Sequence, residues 1–222
     1  YVVSIGADVG LAFDGDADRM LAVDEKGNII DGDQIMAVCA NYMKSQGTLK
    51  QDTLVATVMS NLGLFMAGEK LGINIPRTKV GDRYVLEEML DKGYVLGGEQ
   101  SGHIIFLDHN TTGDGLVSAL QFLSVLKKTG MKASEAASIV NVLPQVLKNA
   151  KVKNENKNSY MENPEIAQVI NELEKEFNGA GRVLIRPSGT EPLVRVMIEG
   201  SDIDYITKRA TELAELIEKN LG

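Results

Sequence analysis

VGLAFDGDADRMLAVDEKGNIIDGD, residues 9–33, is the stretch on which the reading of this chain turns. VGLAF (9–13) and MLAVD (20–24) are short apolar runs of the kind that form strands. Between them Asp14, Asp16 and Asp18 alternate with Gly15 and Ala17, and Arg19 follows at once. Glu25-Lys26-Gly27-Asn28 is a turn, and IIDGD closes a hairpin. Carboxylates this close repel one another unless something offsets their charge. Side chains of an extended segment alternate sides, so the three are expected to face the same way. Gly15 and Ala17 are small enough to let the backbone bend around a ligand. Hard oxygen donors suit Mg²⁺, which prefers six ligands and retains waters. With that ion in place the cluster keeps a charge of about −1, and Arg19 can offset a further anion such as a phosphoryl group.

Two other motifs share the D-x-D-x-D opening. A calcium-binding EF-hand loop starts the same way, and the twelfth residue from Asp14 is Glu25. Its sixth position needs Gly, whereas Arg19 stands there, and the flanks read as strands rather than helices. An aspartyl phosphatase of the haloacid dehalogenase type also opens on a strand followed by D-x-D, with Asp14 as the nucleophile. Such enzymes place Thr or Val where Asp18 sits, and that reading stays open as an alternative.

Outward from this stretch, strands and helices alternate. Residues 33–46 carry Ile35, Val38, Cys39, Tyr42 and Met43 at helical spacing. TLVATVM (53–59) is a buried-strand candidate followed by a helix to Leu71. GDRYVLEEMLDKG predicts a helix beginning after Gly81, and YVLGGEQSGHIIF predicts two short strands around a loop. A helix over 114–128 is expected to turn Leu116, Leu120, Leu123 and Leu126 inward. The pattern predicts an α/β fold, a mixed, mostly parallel β-sheet domain flanked by helices. KNAKVKNENKNSYMENPE (148–165) is polar and repetitive in Lys and Asn. Beyond it lie a helix (164–177), the strands RVLIR (182–186) and LVRVMIEG (193–200), and a last helix. Ser201 or Asp202 caps that helix, with Ile203, Ile206, Leu213, Leu216 and Ile217 as its stripe. Residues 145–222 thus read as a smaller α+β domain.

Three further loops carry chemistry. RPSGTEP (186–192) brackets Ser188, Gly189 and Thr190 between prolines, with Arg186 on one side and Arg195 on the next strand. Hydroxyls, closely spaced N–H groups and guanidinium forks describe an anion cradle. GGEQSGH (97–103) presents Glu99 and Ser101 among glycines, a pairing that suits sugar hydroxyls. His103 is as much a structural hydrogen-bonder as a proton shuttle. TKVGDRYV (78–85) sets Lys79 and Arg83 around Gly81, where they could reach a phosphate or a sugar.

The bulk composition narrows the function classes. The 222 residues suffice for one large domain or two modest ones, and 44% hydrophobic with 24% charged residues is ordinary for a globular chain. A net charge of −8 argues against a nucleic-acid partner. No apolar run approaches the roughly 18 residues of a membrane span, and no secretory signal is visible. The single cysteine, Cys39, excludes an internal disulfide and reads as a small buried residue. A reducing compartment, the cytoplasm, is the expectation, which makes the sequon Asn110-Thr111-Thr112 coincidental. The chain starts at Tyr1 within an apolar, strand-like run and reads as a fragment of a longer protein.

FDGDADR, TKVGDRYV, GGEQSGH and RPSGTEP, in this order, resemble the α-D-phosphohexomutase family across essentially the whole chain. Their forms DGDADR, VGDRYV and GEQSGH are most similar to the bacterial branch that acts on glucosamine phosphates. The resemblance implies a four-domain enzyme interconverting glucosamine 6-phosphate and glucosamine 1-phosphate, on the route to UDP-N-acetylglucosamine and cell-wall precursors. It implies a phosphoserine donor and a bisphosphorylated sugar intermediate. Asp14, Asp16 and Asp18 would hold Mg²⁺, and Arg19 would neutralise charge beside it. Glu99 and Ser101 would hold sugar hydroxyls, while Arg186, Ser188, Gly189 and Thr190 would grip the phosphate that is not reacting. Residues 1–24 would be the remnant of a second domain, 25–143 a third and 145–222 a fourth. The family's Ser-His-Asn-Pro loop is missing, since Asp108-His109-Asn110-Thr111 lacks both the serine and the proline. Its partners would then be a phosphosugar and the absent N-terminal domains, with no turnover by the fragment alone. The open edge of VGLAF invites a second copy, a homodimer. A non-catalytic metal or sugar-phosphate binding module is the alternative from another class.

Overall fold

The structure, a computed structural model, describes all residues from Tyr1 to Gly222. They divide into two compact units, Tyr1–Val142 and Leu143–Gly222.

The first unit opens on α1 (Val2–Ile5), a single helical turn closed by Gly6 at φ 66°, where a strand was expected. The glycine's left-handed conformation lets the chain reverse at once into β1. β1 (Val9–Phe13) and β2 (Met20–Asp24) pair antiparallel from Val9↔Asp24 to Phe13↔Met20, and β3 (Ile29–Ile30) pairs with the far side of β2. The Asp24 carboxylate closes the β2–β3 turn by accepting from the N–H groups of Lys26 and Asn28 and from the Asn28 amide. Glu25 reaches instead to Ser134, accepting from its N–H at 3.2 Å, so it is no part of a loop like that of an EF-hand.

α2 (Gly32–Ser45) starts on a reciprocal cap, in which Asp31 accepts from the Gln34 N–H and the Gln34 side chain accepts from the Asp31 N–H. β4 (Val55–Thr57), α3 (Leu62–Leu71), β5 (Arg77–Thr78), α4 (Asp82–Lys92), β6 (Leu96–Gly98), β7 (Ile104–Phe106), α5 (Gly115–Thr129) and α6 (Ala133–Ala137) follow. The sheet order is β5-β4-β6-β7, with β4 parallel to both neighbours and β7 antiparallel to β6. β4, β6 and β7 are fully buried, as expected of strands covered on both faces. Adjacent glycines in β6 show how close that cover lies. A Cβ on Gly97 would fall 2.7 Å from the Met89 sulfur of α4, and one on Gly98 would fall 3.0 Å from the Met36 sulfur of α2. Successive residues face opposite sides, so α4 and α2 press on opposite faces of the sheet. Cys39 is buried among these layers, and burial pushes its thiol up to about 12, which leaves it chemically inert.

α5 corrects an expectation. Its inward face is Gly115, Ser118, Ala119, Phe122 and Val125, while Leu116 and Leu120 are 60% and 67% exposed. The helix carries two stripes at helical spacing, and the one that includes Phe122 is buried where α5 packs on α2, β2 and β7.

The second unit is an antiparallel sheet, β8-β10-β9, built from β8 (Gln145–Lys151), β9 (Arg182–Pro187) and β10 (Leu193–Glu199). α7 (Pro164–Phe177) and α8 (Ile203–Leu221) share its core with Val183, Val194, Val196 and Ile198 through Ile166, Ile170, Leu173, Ile206, Leu213 and Ile217. Asn163 caps α7 ahead of Pro164, and Asp202 rather than Ser201 caps α8. Ile203, expected in the α8 stripe, is 49% exposed. β8 overlaps the Lys- and Asn-rich segment that the sequence left without structure. As an edge strand it buries only Ala150 fully and needs little apolar pattern. No helix is long and apolar enough to cross a membrane.

Two outcomes test this packing. Phe122→Ala should destabilise the first unit by about 3–5 kcal/mol, whereas Leu120→Ala should change its stability by less than about 0.5 kcal/mol, read by urea unfolding. At the start of α5, the Val117 N–H and then Asn110 hold the Asp114 carboxyl below the ordinary carboxylate range, against the opposing push of burial. A depressed folded pKa gives stability that is present above the unfolded value of about 3.9 and is lost as pH falls through the folded one. Asp114→Ala should therefore cost about 1 kcal/mol at pH 7 and progressively less below about pH 4.

Candidate metal and sugar-phosphate site

The acidic loop joins β1 to β2, and it is a turn rather than an extended segment. Ala17 sits at φ 57° and its N–H donates to the Asp14 carbonyl at 3.2 Å. The carboxylates converge because the backbone folds on itself, not because alternate side chains share a strand face. Asp14, Asp16 and Asp18 each offer an oxygen, and these oxygens lie within 4.8 Å of one another. Arg19 is the counter-charge, with its Nε 3.8 Å from both Asp14 Oδ2 and Asp18 Oδ1 and its N–H donating to Asp14 Oδ1 at 3.2 Å. Three carboxylates held this close with one guanidinium repel one another in a solvated turn. Three carboxylates and an Arg fit a divalent cation that is to meet a further anion.

Neighbouring loops fix this turn through their backbones. The Met20 N–H donates to the Gly102 carbonyl at 3.1 Å, and the Gly115 N–H donates to the Ala17 carbonyl at 2.9 Å. The first bond brings in the GGEQSGH loop, which joins β6 to β7. Gly102 reverses that loop at φ 94°, and a Cβ there would strike the Met20 backbone. Within the loop the Gly32 N–H donates to the Gln100 carbonyl, and the Gln100 amide donates to Asp31, both at 3.0 Å. Glu99 is half-buried, and its Oε1 accepts from the Gly81 N–H at 3.0 Å. The contact ties TKVGDRYV to GGEQSGH. Glu99 and the exposed Ser101 line a cleft with Thr57, Met59, Val80 and Gln100.

Lys79 and Arg83 are not brought to that cleft. Arg83 turns along α4 to pair with Glu87 at 2.7 Å, and that hydrogen bond raises its already high pKa. Lys79 stands 5.8 Å over the Tyr84 ring. His103 is the structural hydrogen-bonder that the sequence offered as one reading, but its partners and those of Gly81 and Gly113 were not legible there. Gly81 supplies the N–H to Glu99, and His103 with Gly113 reaches Asp18, connections that join positions far apart in the chain.

In the second unit RPSGTEP is the β9–β10 hairpin connection. Arg186 and Arg195 are direct cross-strand partners and so share one face of the sheet. Like charges opposite each other are unfavourable, and Glu191 offsets Arg195 only at 3.3 Å. Ser188 is buried, and its Oγ accepts from the Glu191 N–H at 3.2 Å. Gly189 and Thr190 are exposed at the tip. Lys157, from the polar segment, donates to the Ser188 carbonyl at 3.0 Å and adds a third positive charge. Three positive charges beside a buried hydroxyl make a group whose chemistry suits an anion.

This chain belongs to the phosphoglucomutase/phosphomannomutase family: the family's alpha/beta/alpha domain III matches residues 31–143, and its C-terminal domain matches residues 147–216. Two curated relatives, the phosphoglucosamine mutases of Acetivibrio thermocellus and Ruminiclostridium cellulolyticum, are 65% and 66% identical to it over 222 residues. The alignments cover 100% of this chain and 49% of each relative, so the chain spans about half their length. Among solved structures, the Aspergillus fumigatus N-acetylphosphoglucosamine mutase in complex with GlcNAc-6P and magnesium shares the fold at a TM-score of 0.79 and 22% identity, over 96% of this chain and 49% of that one. A phosphoglucomutase/phosphomannomutase family protein from Burkholderia thailandensis does so at 0.71 and 23%, over 96% and 48%.

The paired arginines make a prediction of opposite sign to an ordinary charge deletion. Without phosphate, Arg195→Gln should leave the second unit as stable as the parent, or more stable by up to about 1 kcal/mol. Inorganic phosphate should raise the melting temperature of the parent but not of the variant, as followed by thermal unfolding with and without phosphate.

Proposed function

We propose that the chain is the metal- and substrate-binding half of a cytoplasmic phosphoglucosamine mutase, which interconverts glucosamine 6-phosphate and glucosamine 1-phosphate. The observation that carries this is the convergence of Asp14, Asp16 and Asp18 to within 4.8 Å, backbone-bonded to the loop that presents Glu99. The identity of 65% to a named phosphoglucosamine mutase supports the amino-sugar substrate.

Asp14, Asp16 and Asp18 would hold Mg²⁺. Bound there, the ion supplies positive charge to a phosphoryl group in transfer, a reaction driven mostly by positioning and electrostatics. Arg19 lies beside the cluster to neutralise the same group. Glu99 already uses Oε1 on Gly81, which orients the carboxylate and leaves Oε2 to accept from sugar hydroxyls, with the Ser101 hydroxyl next to it. Arg186 and Arg195 would take the phosphate that is not reacting, with the Ser188 hydroxyl and the exposed Gly189 and Thr190 N–H groups completing the cradle. A bisphosphorylated sugar carries a phosphate at each end, so turning it over presents either end to the transfer chemistry. The phosphoserine that donates its phosphoryl group to the sugar hydroxyl would come from the portion of the longer protein that this chain does not include.

Phosphorus NMR tests the reading. With Mg²⁺, the full-length protein should convert glucosamine 6-phosphate to the 1-phosphate faster than it converts the glucose or mannose esters, and the 222-residue chain alone should convert none. Absence of glucosamine 1-phosphate in the full-length reaction would rule the assignment out. Glu99→Gln should lower kcat/KM by about 10- to 100-fold, as for loss of one charged hydrogen bond.

A further inference from the structure

The buried imidazole of His103 is unused by the reading above, and both of its nitrogens are committed. His103 is 5% exposed. Its Nε2 lies 3.1 Å from the Gly113 N–H, and its Nδ1 lies 2.9 Å from Asp18 Oδ2. A backbone N–H can only donate, so Nε2 accepts and carries no proton. The ring proton therefore sits on Nδ1 and points at the Asp18 carboxylate. Gly113 is what permits this. A Cβ there would lie 2.6 Å from the ring's Cδ2, so any other residue pushes the imidazole away. The backbone around His103 is equally fixed, since its carbonyl accepts from the Glu99 N–H at 3.0 Å and the residue bridges to Arg19 across the loops. Asp82, the other carboxylate near the ring, stands 3.9 Å from Nε2, beyond hydrogen-bond reach.

We propose that His103 is a positioning residue for the cation: held in the Nδ1–H tautomer by Gly113, it donates to Asp18 and sets the orientation in which that carboxylate meets the metal. The proposal rests on the reading of Asp14, Asp16 and Asp18 as metal ligands. Burying an imidazole is costly unless each nitrogen finds a partner, and here both partners are supplied. Hydrogen bonds from outside a metal's ligand set typically govern 10- to 100-fold in affinity.

Two measurements on the chain separate the parts of this claim. The first needs no metal: long-range proton–nitrogen NMR of the imidazoles at pH 8. The chain has 2 histidines, so a His109→Gln variant assigns both signals. His103 should show a protonated Nδ1 and a bare Nε2, and an Nε2–H tautomer overturns the proposal. The second is titration with Mn²⁺ alone, followed by electron paramagnetic resonance. Asn places its amide nitrogen where Nδ1 lies, whereas Gln places it near Nε2. His103→Asn should keep Mn²⁺ affinity within about threefold, while His103→Gln and His103→Ala should lose about 10- to 100-fold. Amide spectra of each variant report its folding, and if the alanine variant unfolds, the Asn/Gln contrast decides. Parental affinity in His103→Gln, or an equal loss in the Asn and Gln variants, overturns the positioning role. No Mn²⁺ binding by the parent, with the Nδ1–H tautomer still observed, overturns the metal reading itself and this proposal with it.

Discussion

Three carboxylates whose oxygens lie within 4.8 Å repel one another, and the first unit must hold the loop that carries them. Left to itself, a loop carrying that charge would splay into water, where separation and solvent screening lower its energy. Here the loop is held by bonds that do not depend on its own side chains. Its backbone donates to Gly102 and accepts from Gly115, so the ends of two other segments clamp it. Glycines recur at the clamps because a Cβ at Gly102 or Gly115 would meet the backbone of the acidic segment. The fold thus holds in advance a cluster of like charge, and on the function proposed above a cation would relieve its repulsion, the usual logic of a preorganised electrostatic site.

The second unit solves a similar problem with the opposite charge. Arg186 and Arg195 are fixed opposite each other by the register of β9 and β10, a register that the alternation of Val183, Ile185, Val194, Val196 and Ile198 against two helices makes hard to slip. Apolar burial on one face of the sheet therefore enforces an unfavourable charge contact on the other. Lys157 deepens it by reaching the Ser188 carbonyl. In both units, folding energy gathered in a core maintains a cluster of like charge.

How far the sequence could be read depended on the range of the interaction. The hairpin 9–30, the capping of the last helix at Ser201 or Asp202, and the strands at 182–187 and 193–199 follow from local patterning and capping chemistry. Both α/β character and the loops FDGDADR, GGEQSGH and RPSGTEP are local strings, and so were legible. β8 was not, because an edge strand needs only one buried residue to hold it and its Lys and Asn content resembles solvated loop. α5 was misread because two stripes satisfy helical spacing and only the packing of the helix on α2, β2 and β7 selects between them. Lys79 and Arg83 look equivalent to the other basic residues in the string, yet their partners, the Tyr84 ring and Glu87, take them away from Glu99.

The sequence by itself determined which chemical groups this protein has and the short segments that carry them: an acidic triplet with its Arg, a glycine-flanked Glu and Ser, and a proline-bracketed hydroxyl loop with arginines. Spacing of a few residues dictates those, since turns, caps and strand alternation act over that range. Only the tertiary structure decided how the groups are oriented. The acidic residues converge through a left-handed Ala17 rather than through strand alternation. Glu99 is aimed by Gly81, and Asp18 is met by an imidazole whose tautomer Gly113 dictates. Those are contacts between residues 10, 18 and 85 positions apart, and hydrogen-bond direction at such separations is set by how layers pack, which no local pattern encodes.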